Sequence, residues 1–223
     1  MSFAVRAFPS GSYAADAAAV IAERLPVDGS VVVTGGTSAK IIYGALEVDL
    51  SSTEVFFSDE RCVPPDDEAS NFKMATEALL ERSGATNVHR MRGEDSPKSA
   101  ARSYHDQLAP VVRERFDLML LGMGDDNHIA ALFPESPALL EADELCVPVD
   151  RPDGLKGLTM TPPSIVAAKS VLVIVSGEAK AAAVARAFYG DEDAMSHPVR
   201  ILADHPDVTF VLDESAASRL EPT

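Results

Sequence analysis

Five short apolar runs, each followed by small or turn-forming residues and most by a helical pattern, constrain the fold of this chain more than any other feature. They are 30–34 (SVVVT) before Gly35-Gly36, 55–57 (VFF) before Ser58, 116–121 (FDLMLL) before Gly122, 171–175 (VLVIV) before Ser176-Gly177, and 208–212 (VTFVL). Runs this short suit strands rather than helices, and continuous rather than alternating hydrophobicity means that both faces of each strand are covered. The covers lie between them. Residues 13–25 carry Ala14, Ala17, Ala18, Ile21 and Leu25 at helical spacing, and 69–82 carry Phe72, Ala75, Leu79 and Leu80. Helices are also predicted over 37–46, from Pro97 to about Leu108, from Lys180 to about Phe188 and briefly at the C-terminus, with a further short strand at 87–91.

Strand–helix alternation of this kind predicts an α/β fold: one domain over residues 1–223, doubly wound and Rossmann-like, with a mostly parallel sheet and helices on both faces. Right-handed crossovers bring the carboxyl ends of the strands to one edge, where such sheets bind ligands. The segments placed there are 34–38, 58–71, 122–129 and 176–180. Residues 147–163, with prolines at 148, 152, 162 and 163, read as a long surface connection.

The charge balance narrows the partners. Thirty-five acidic against 19 basic side chains give a net charge of −16. That field repels phosphate backbones and anionic membranes, so neither nucleic acid nor membrane is an expected partner. A phosphorylated small molecule would need a local basic cluster to override it. Cys62 and Cys146 stand in no metal-type spacing and give no disulfide framework, as in a reducing compartment. The N-terminus has no signal-peptide pattern and no apolar run approaches ~20 residues, so a cytoplasmic location is expected.

Four loops at the predicted edge hold chemistry-bearing residues. Gly35, Gly36, Thr37 and Ser38 join a strand to a helix, where exposed amides and the helix N-terminus favour an anion; an ordinary capped turn reads equally well. Neither a P-loop nor G-x-G-x-x-G is present, which argues against a nucleotide cofactor. Asp59-Glu60-Arg61 follows the second strand: composition alone favours a surface ion pair, but at this edge Arg61 offers a planar fork for phosphate. In 122–128 (GMGDDNH), Asn127 tolerates left-handed backbone, and a sharp loop is expected to present His128 near the start of a short helix ending near Pro134. Asp125 and Asp126 stand three and two residues before His128 and can fix its tautomer. The same three residues lack the companion histidine of a metal site. Lys180, in the first turn after Ser176-Gly177, is either a solvated lysine or a point charge for phosphate.

The segments TGGTSAKIIYGAL, VFFSDERCVPPDDEASN, FDLMLLGMGDDNHIAALFPESPAL and SGEAKAAAVARAF, with TMTPPSI between the last two, resemble the 6-phosphogluconolactonase family in order and spacing over nearly the whole chain. The wider superfamily includes glucosamine-6-phosphate deaminases and ribose-5-phosphate isomerases. The resemblance implies hydrolysis of 6-phospho-D-glucono-1,5-lactone in the oxidative pentose phosphate pathway, with no cofactor and no metal. It implies His128 as general base with Asp126 as its partner. Arg61 and Lys180 would hold phosphate, aided by the turn from Gly35 to Ser38, and Asp59, Ser70 and Asn71 would line the site. Where the family usually reads G-P-D-G-H-T-A-S-L-F-P, this chain has Asp125, Asn127, Ile129 and Ala131, and His-Ile-Ala is similar to the deaminase loop. Where the family usually has an arginine before T-L-T, this chain has Gly157, with Lys156 and Arg151 as candidate replacements. Two other readings follow: a deaminase with Asp59 as the proton shuttle, disfavoured by Arg61 where deaminases have tyrosine, and a non-catalytic sugar-phosphate sensor.

Overall fold

A computed structural model describes residues 3–191 and 193–221. Its strands and helices follow the apolar pattern closely. The chain runs β1 (Ala4–Phe8), α1 (Tyr13–Arg24), β2 (Gly29–Val33), α2 (Thr37–Ala45), β3 (Thr53–Phe57), β4 (Asp59–Arg61), α3 (Asn71–Ala75), β5 (Asn87–His89), α4 (Pro97–Glu114) and β6 (Leu118–Gly122). It continues through β7 (Cys146–Asp150), β8 (Lys156–Met160), α5 (Pro162–Val166), β9 (Ser170–Val175), α6 (Ala181–Tyr189) and β10 (Val208–Asp213).

Seven strands form one sheet in the order β1-β10-β9-β6-β2-β3-β5, and every neighbouring pair is parallel. Alternation within β2 shows why its run is continuous. Val31 and Val33 face one core, with Tyr13 and Ile21 of α1, Ile42 and Tyr43 of α2, and Leu79. Val32 faces the other, with Tyr104 and Leu108 of α4 and Val184 and Ala187 of α6. Helices therefore cover both faces, as the runs require.

From β2 the chain builds outward through β3 and β5, then returns to place β6 on the other side of β2. The loops after β2 and β6 thus leave a crevice at the point where winding reverses, the usual ligand position in such sheets.

The structure corrects several expectations. Residues 147–163 are no surface connection: β7 and β8 form an antiparallel hairpin that joins β4 in a second, three-stranded sheet of order β4-β8-β7. Pro148 is tolerated because β7 is an edge strand. Helix α4 runs past Pro110 to Glu114, since Val111 and Val112 still pack on the core. After Ala75 the helix widens into a π-helical turn over Thr76–Leu80, closed by Glu81 N–H on Thr76 O at 3.2 Å. The short helix expected from His128 to Pro134 does not form; the chain instead makes turns tied by short antiparallel bridges, Met123 to Ile129 and Ile129 to Leu132. Beyond β10 there are turns over 214–219 rather than a helix. Strand β1 has no signature in the apolar pattern, because as a largely exposed edge strand it carries no buried apolar run.

Candidate active site

A cavity of about 460 Å³ opens at the crevice between the ends of β2 and β6, within the size range of small-molecule sites. Each of the four predicted edge segments contributes to its wall, among them Gly36, Asp59, His128 and Lys180. Arg151, from the end of the β7–β8 hairpin, is an additional contributor.

On one side stands the His128 loop. Asn127 takes the left-handed conformation at φ 65°, doing with an asparagine what a glycine does elsewhere. Its side chain is fully buried and fixes the loop from behind, donating to Ala183 O at 2.7 Å and accepting from Arg186 Nε at 3.2 Å. His128 Nδ1 lies 2.6 Å from Asp126 Oδ1. Burial pushes the Asp126 carboxyl up, but the hydrogen bond and charge of His128 outweigh it and hold it at about 2. An ionised carboxylate only accepts, so the imidazole proton sits on Nδ1 and leaves Nε2 as the basic nitrogen. The other acidic neighbour is used differently: Asp125 Oδ1 pairs with Lys180 Nζ at 2.6 Å. Gly124 is required here by close approach, since a Cβ on it would stand 2.1 Å from His128 Nδ1.

Opposite lies the turn from β2 into α2. Gly36, at φ 97°, caps the helix without a side-chain hydrogen bond, and the cavity reaches Gly36, Thr37 and Ser38. The first-turn amides of α2 have no acceptor within their own helix, so this wall favours an anion. The β9–α6 loop repeats the geometry, with Gly177 also at φ 97°. The two loops are joined by Ser38 Oγ and Ser176 Oγ at 2.8 Å.

The floor is the Asp59-Glu60-Arg61 strand, and it is not a surface ion pair. Asp59 and Glu60 are both buried. Glu60 accepts from the amides of Arg61, Asn71 and Phe72 and from Ser70 Oγ at 2.7–2.9 Å, so it holds β4 against the start of α3. Burial pushes its carboxyl up against those donors. Asn71 donates to Asp59 O and Oδ2 and accepts from Arg61 Nη1 at 2.9 Å, which sets the guanidinium at the cavity. Arg61 Nε is buried and unbonded. Asn71 approaches Gly35 so closely that a Cβ there would lie 1.9 Å from its Oδ1.

Of the predicted site residues, the structure brings together His128, Asp126, Gly35, Gly36, Thr37, Ser38, Asp59, Arg61, Asn71 and Lys180, with Asp126 acting from behind His128. Ser70 is the exception. It caps α3 through Lys73 N–H and donates to Glu60, behind the cavity wall. Between the two candidate basic replacements the geometry is clear: Lys156 is exposed and paired with Asp150, whereas Arg151 lines the cavity. No residue pattern around Arg151 announced this, because its position depends on the hairpin. The cysteines stay outside: burial pushes both thiols up, Cys146 well beyond the range of a reactive thiolate.

The chain is similar in sequence and in fold to known proteins. Residues 10–211 match the family described as glucosamine-6-phosphate isomerases/6-phosphogluconolactonase. A 6-phosphogluconolactonase of Synechocystis sp. is 35% identical over 214 residues, spanning 91% of this chain and 88% of that protein. The structure of 6-phosphogluconolactonase from Trypanosoma cruzi superposes with a TM-score of 0.84 at 24% identity, over 99% of this chain and 98% of that one. A monomeric glucosamine-6-phosphate deaminase superposes as well, with a TM-score of 0.85 at 20% identity over 97% and 99% of the two chains, so backbone shape alone does not separate the two activities. By sequence and by fold, then, this chain belongs to the glucosamine-6-phosphate isomerase/6-phosphogluconolactonase family.

Proposed function

We propose that the protein hydrolyses 6-phospho-D-glucono-1,5-lactone to 6-phospho-D-gluconate, with His128 as general base. The observation that carries this reading is the 2.6 Å Asp126–His128 contact at the mouth of a cavity whose other walls are cationic or amide-rich. A lactonase needs a base for water and an anchor for phosphate, and the cavity offers both.

The lactone carbonyl C1 lies beside Nε2 of His128, with water between them. Nε2 takes a proton from that water as its oxygen bonds to C1, and Asp126 stabilises the imidazolium through Nδ1–H. Collapse of the tetrahedral intermediate breaks the C1–ring oxygen bond, and the imidazolium returns the proton to the departing ring oxygen. The product carboxylic acid then ionises in water. Arg61, Lys180 and the α2 N-terminus hold the phosphate remotely, which orients C1 and offsets repulsion from the −16 net charge.

Hydrolysis followed at controlled pH, with spontaneous lactone opening subtracted, tests the reading. His128→Ala is expected to lower turnover by on the order of 10²–10⁴. Undiminished turnover in that variant would reject the role of His128. Ammonia release from glucosamine 6-phosphate by the wild type, without lactone hydrolysis, would replace the reaction itself.

A further inference from the structure

Gly157 leaves room on β8 that a side chain would otherwise occupy, and the structure shows what fills it. A Cβ on Gly157 would lie 3.0 Å from Arg151 Cδ and 3.3 Å from its Cγ. The Arg151 side chain therefore runs across the face of Gly157, and any larger residue there would displace it. Gly157 is also the register partner of Arg61 in the second sheet, so the Arg151 side chain, reaching over from the hairpin turn, and Arg61 meet at one backbone position.

The surroundings hold Arg151 in place without saturating it. Its side chain is only 9% exposed. Nε bonds Asp153 Oδ2 at 3.1 Å, and the hairpin turn is closed by Arg151 N–H on Leu155 O and Gly154 N–H on Arg151 O. The guanidinium lies over Phe133 at 5.4 Å, and Phe133 in turn packs on His128 at 4.6 Å. Nη1 stands 3.9 Å from Asp59 Oδ2, too far for a hydrogen bond but close enough to offset that buried charge. Arg151 thus presents donors to the cavity while Arg61, across Gly157, keeps its buried Nε unbonded.

We infer that Arg151 is a substrate-contacting residue, the second guanidinium of a phosphate clamp with Arg61, admitted to the cavity by the missing side chain of Gly157. The inference rests on the phosphosugar reading of this cavity and deepens it. A phosphate dianion beside a buried Asp59 needs more than one cation, and two planar forks satisfy more of its oxygens than one fork and a lysine. Asp59, already bonded by Ser58 Oγ and Asn71 Nδ2, remains free to meet sugar hydroxyls.

The test is calorimetric titration of wild type, Arg151→Gln and Gly157→Ala with 6-phospho-D-gluconate and with unphosphorylated D-gluconate, each variant first checked by melting temperature. Arg151→Gln is expected to weaken phosphogluconate at least tenfold while changing gluconate far less. Gly157→Ala, which keeps the charge but crowds it, is expected to weaken phosphogluconate severalfold. Unchanged phosphogluconate affinity in folded Arg151→Gln, or equal loss for both ligands, overturns the inference. Should Arg151→Gln not fold, Gly157→Ala decides on the same criterion. Binding dependent on Arg151 in a protein that hydrolyses no lactone would sink the lactonase reading and leave the clamp standing.

Discussion

Adding one methyl group at Gly124 gives a sharp test of how the His128 loop works. A Cβ there would stand 2.1 Å from His128 Nδ1, 2.2 Å from its Cε1 and 2.7 Å from Asp126 Oδ1. Ordinary contact begins near 3.4 Å, so the imidazole must retreat by about 1.3 Å or the loop must move. The loop resists, because Asn127 is bonded to Ala183 O and Arg186 Nε and its own carbonyl accepts from Val199 N–H. The imidazole is the softer partner, since its side chain is 30% exposed and can swing into the cavity. Gly124→Ala therefore breaks the Nδ1–Asp126 bond and misplaces Nε2. A misplacement of about 1 Å costs on the order of 10²-fold in rate, or about 2.7 kcal/mol of barrier. The expected cost in stability is under about 1 kcal/mol, because the displaced ring keeps access to water. Lactone turnover and thermal melting, measured on the same preparation, separate the two. Turnover within threefold of wild type would refute the reasoning. A large extra loss when Gly124→Ala is added to His128→Ala would also refute it, because the methyl is argued to act only through that ring.

Other outcomes follow from the same contacts. The Asp126 carboxyl is held at about 2, below its unfolded value of about 3.9, so its stabilising contribution is complete above that unfolded value and is lost only as pH falls towards 2. Asp126→Asn removes the carboxylate that holds the proton on Nδ1 and should lower lactone turnover well below wild type with little change in melting temperature. Glu60→Gln faces an amide NH₂ towards backbone donors and should cost about 2–4 kcal/mol, read as a melting temperature lower by roughly 5–15 °C. Gly35→Ala would drive Asn71 off Arg61 and should raise KM for the phosphorylated substrate more than it lowers kcat. Thiol reagents should label Cys62 slowly, leave Cys146 untouched until unfolding, and spare activity, since neither thiol lines the cavity.

Much of this was written locally. The continuous runs at 30–34 and 116–121 required burial on both faces, and Val32 facing one core while Val31 and Val33 face the other is the realisation of that requirement. The glycines and Asn127 marked where the backbone must turn, and His128 with Asp126 lay close enough in sequence for their contact to be read from spacing. Such features depend on periodicity and on neighbours a few residues apart, which a sequence displays directly.

What the sequence could not display depends on pairing across long separations. Strand β4 meets β8 nearly 100 residues later, and only that pairing sets Arg61 beside Gly157. Pro148 looks like a breaker until β7 is known to be an edge strand. Glu60 looks like a surface charge until the amides of Arg61, Asn71 and Phe72 are seen to enclose it, and Ser70 looks like a ligand until it is found capping α3 behind the wall. Arg151 is the clearest case: it and Lys156 stand as equal candidates in the sequence, and nothing nearby in the chain chooses between them. The folded hairpin, and the side chain that Gly157 lacks, bring it to the cavity. Strand periodicity and turn chemistry are properties of short segments, so the sequence determined the layered fold and the histidine loop. The composition of the cationic wall was decided by tertiary structure, because burial and electrostatic partnership arise only once distant strands are side by side.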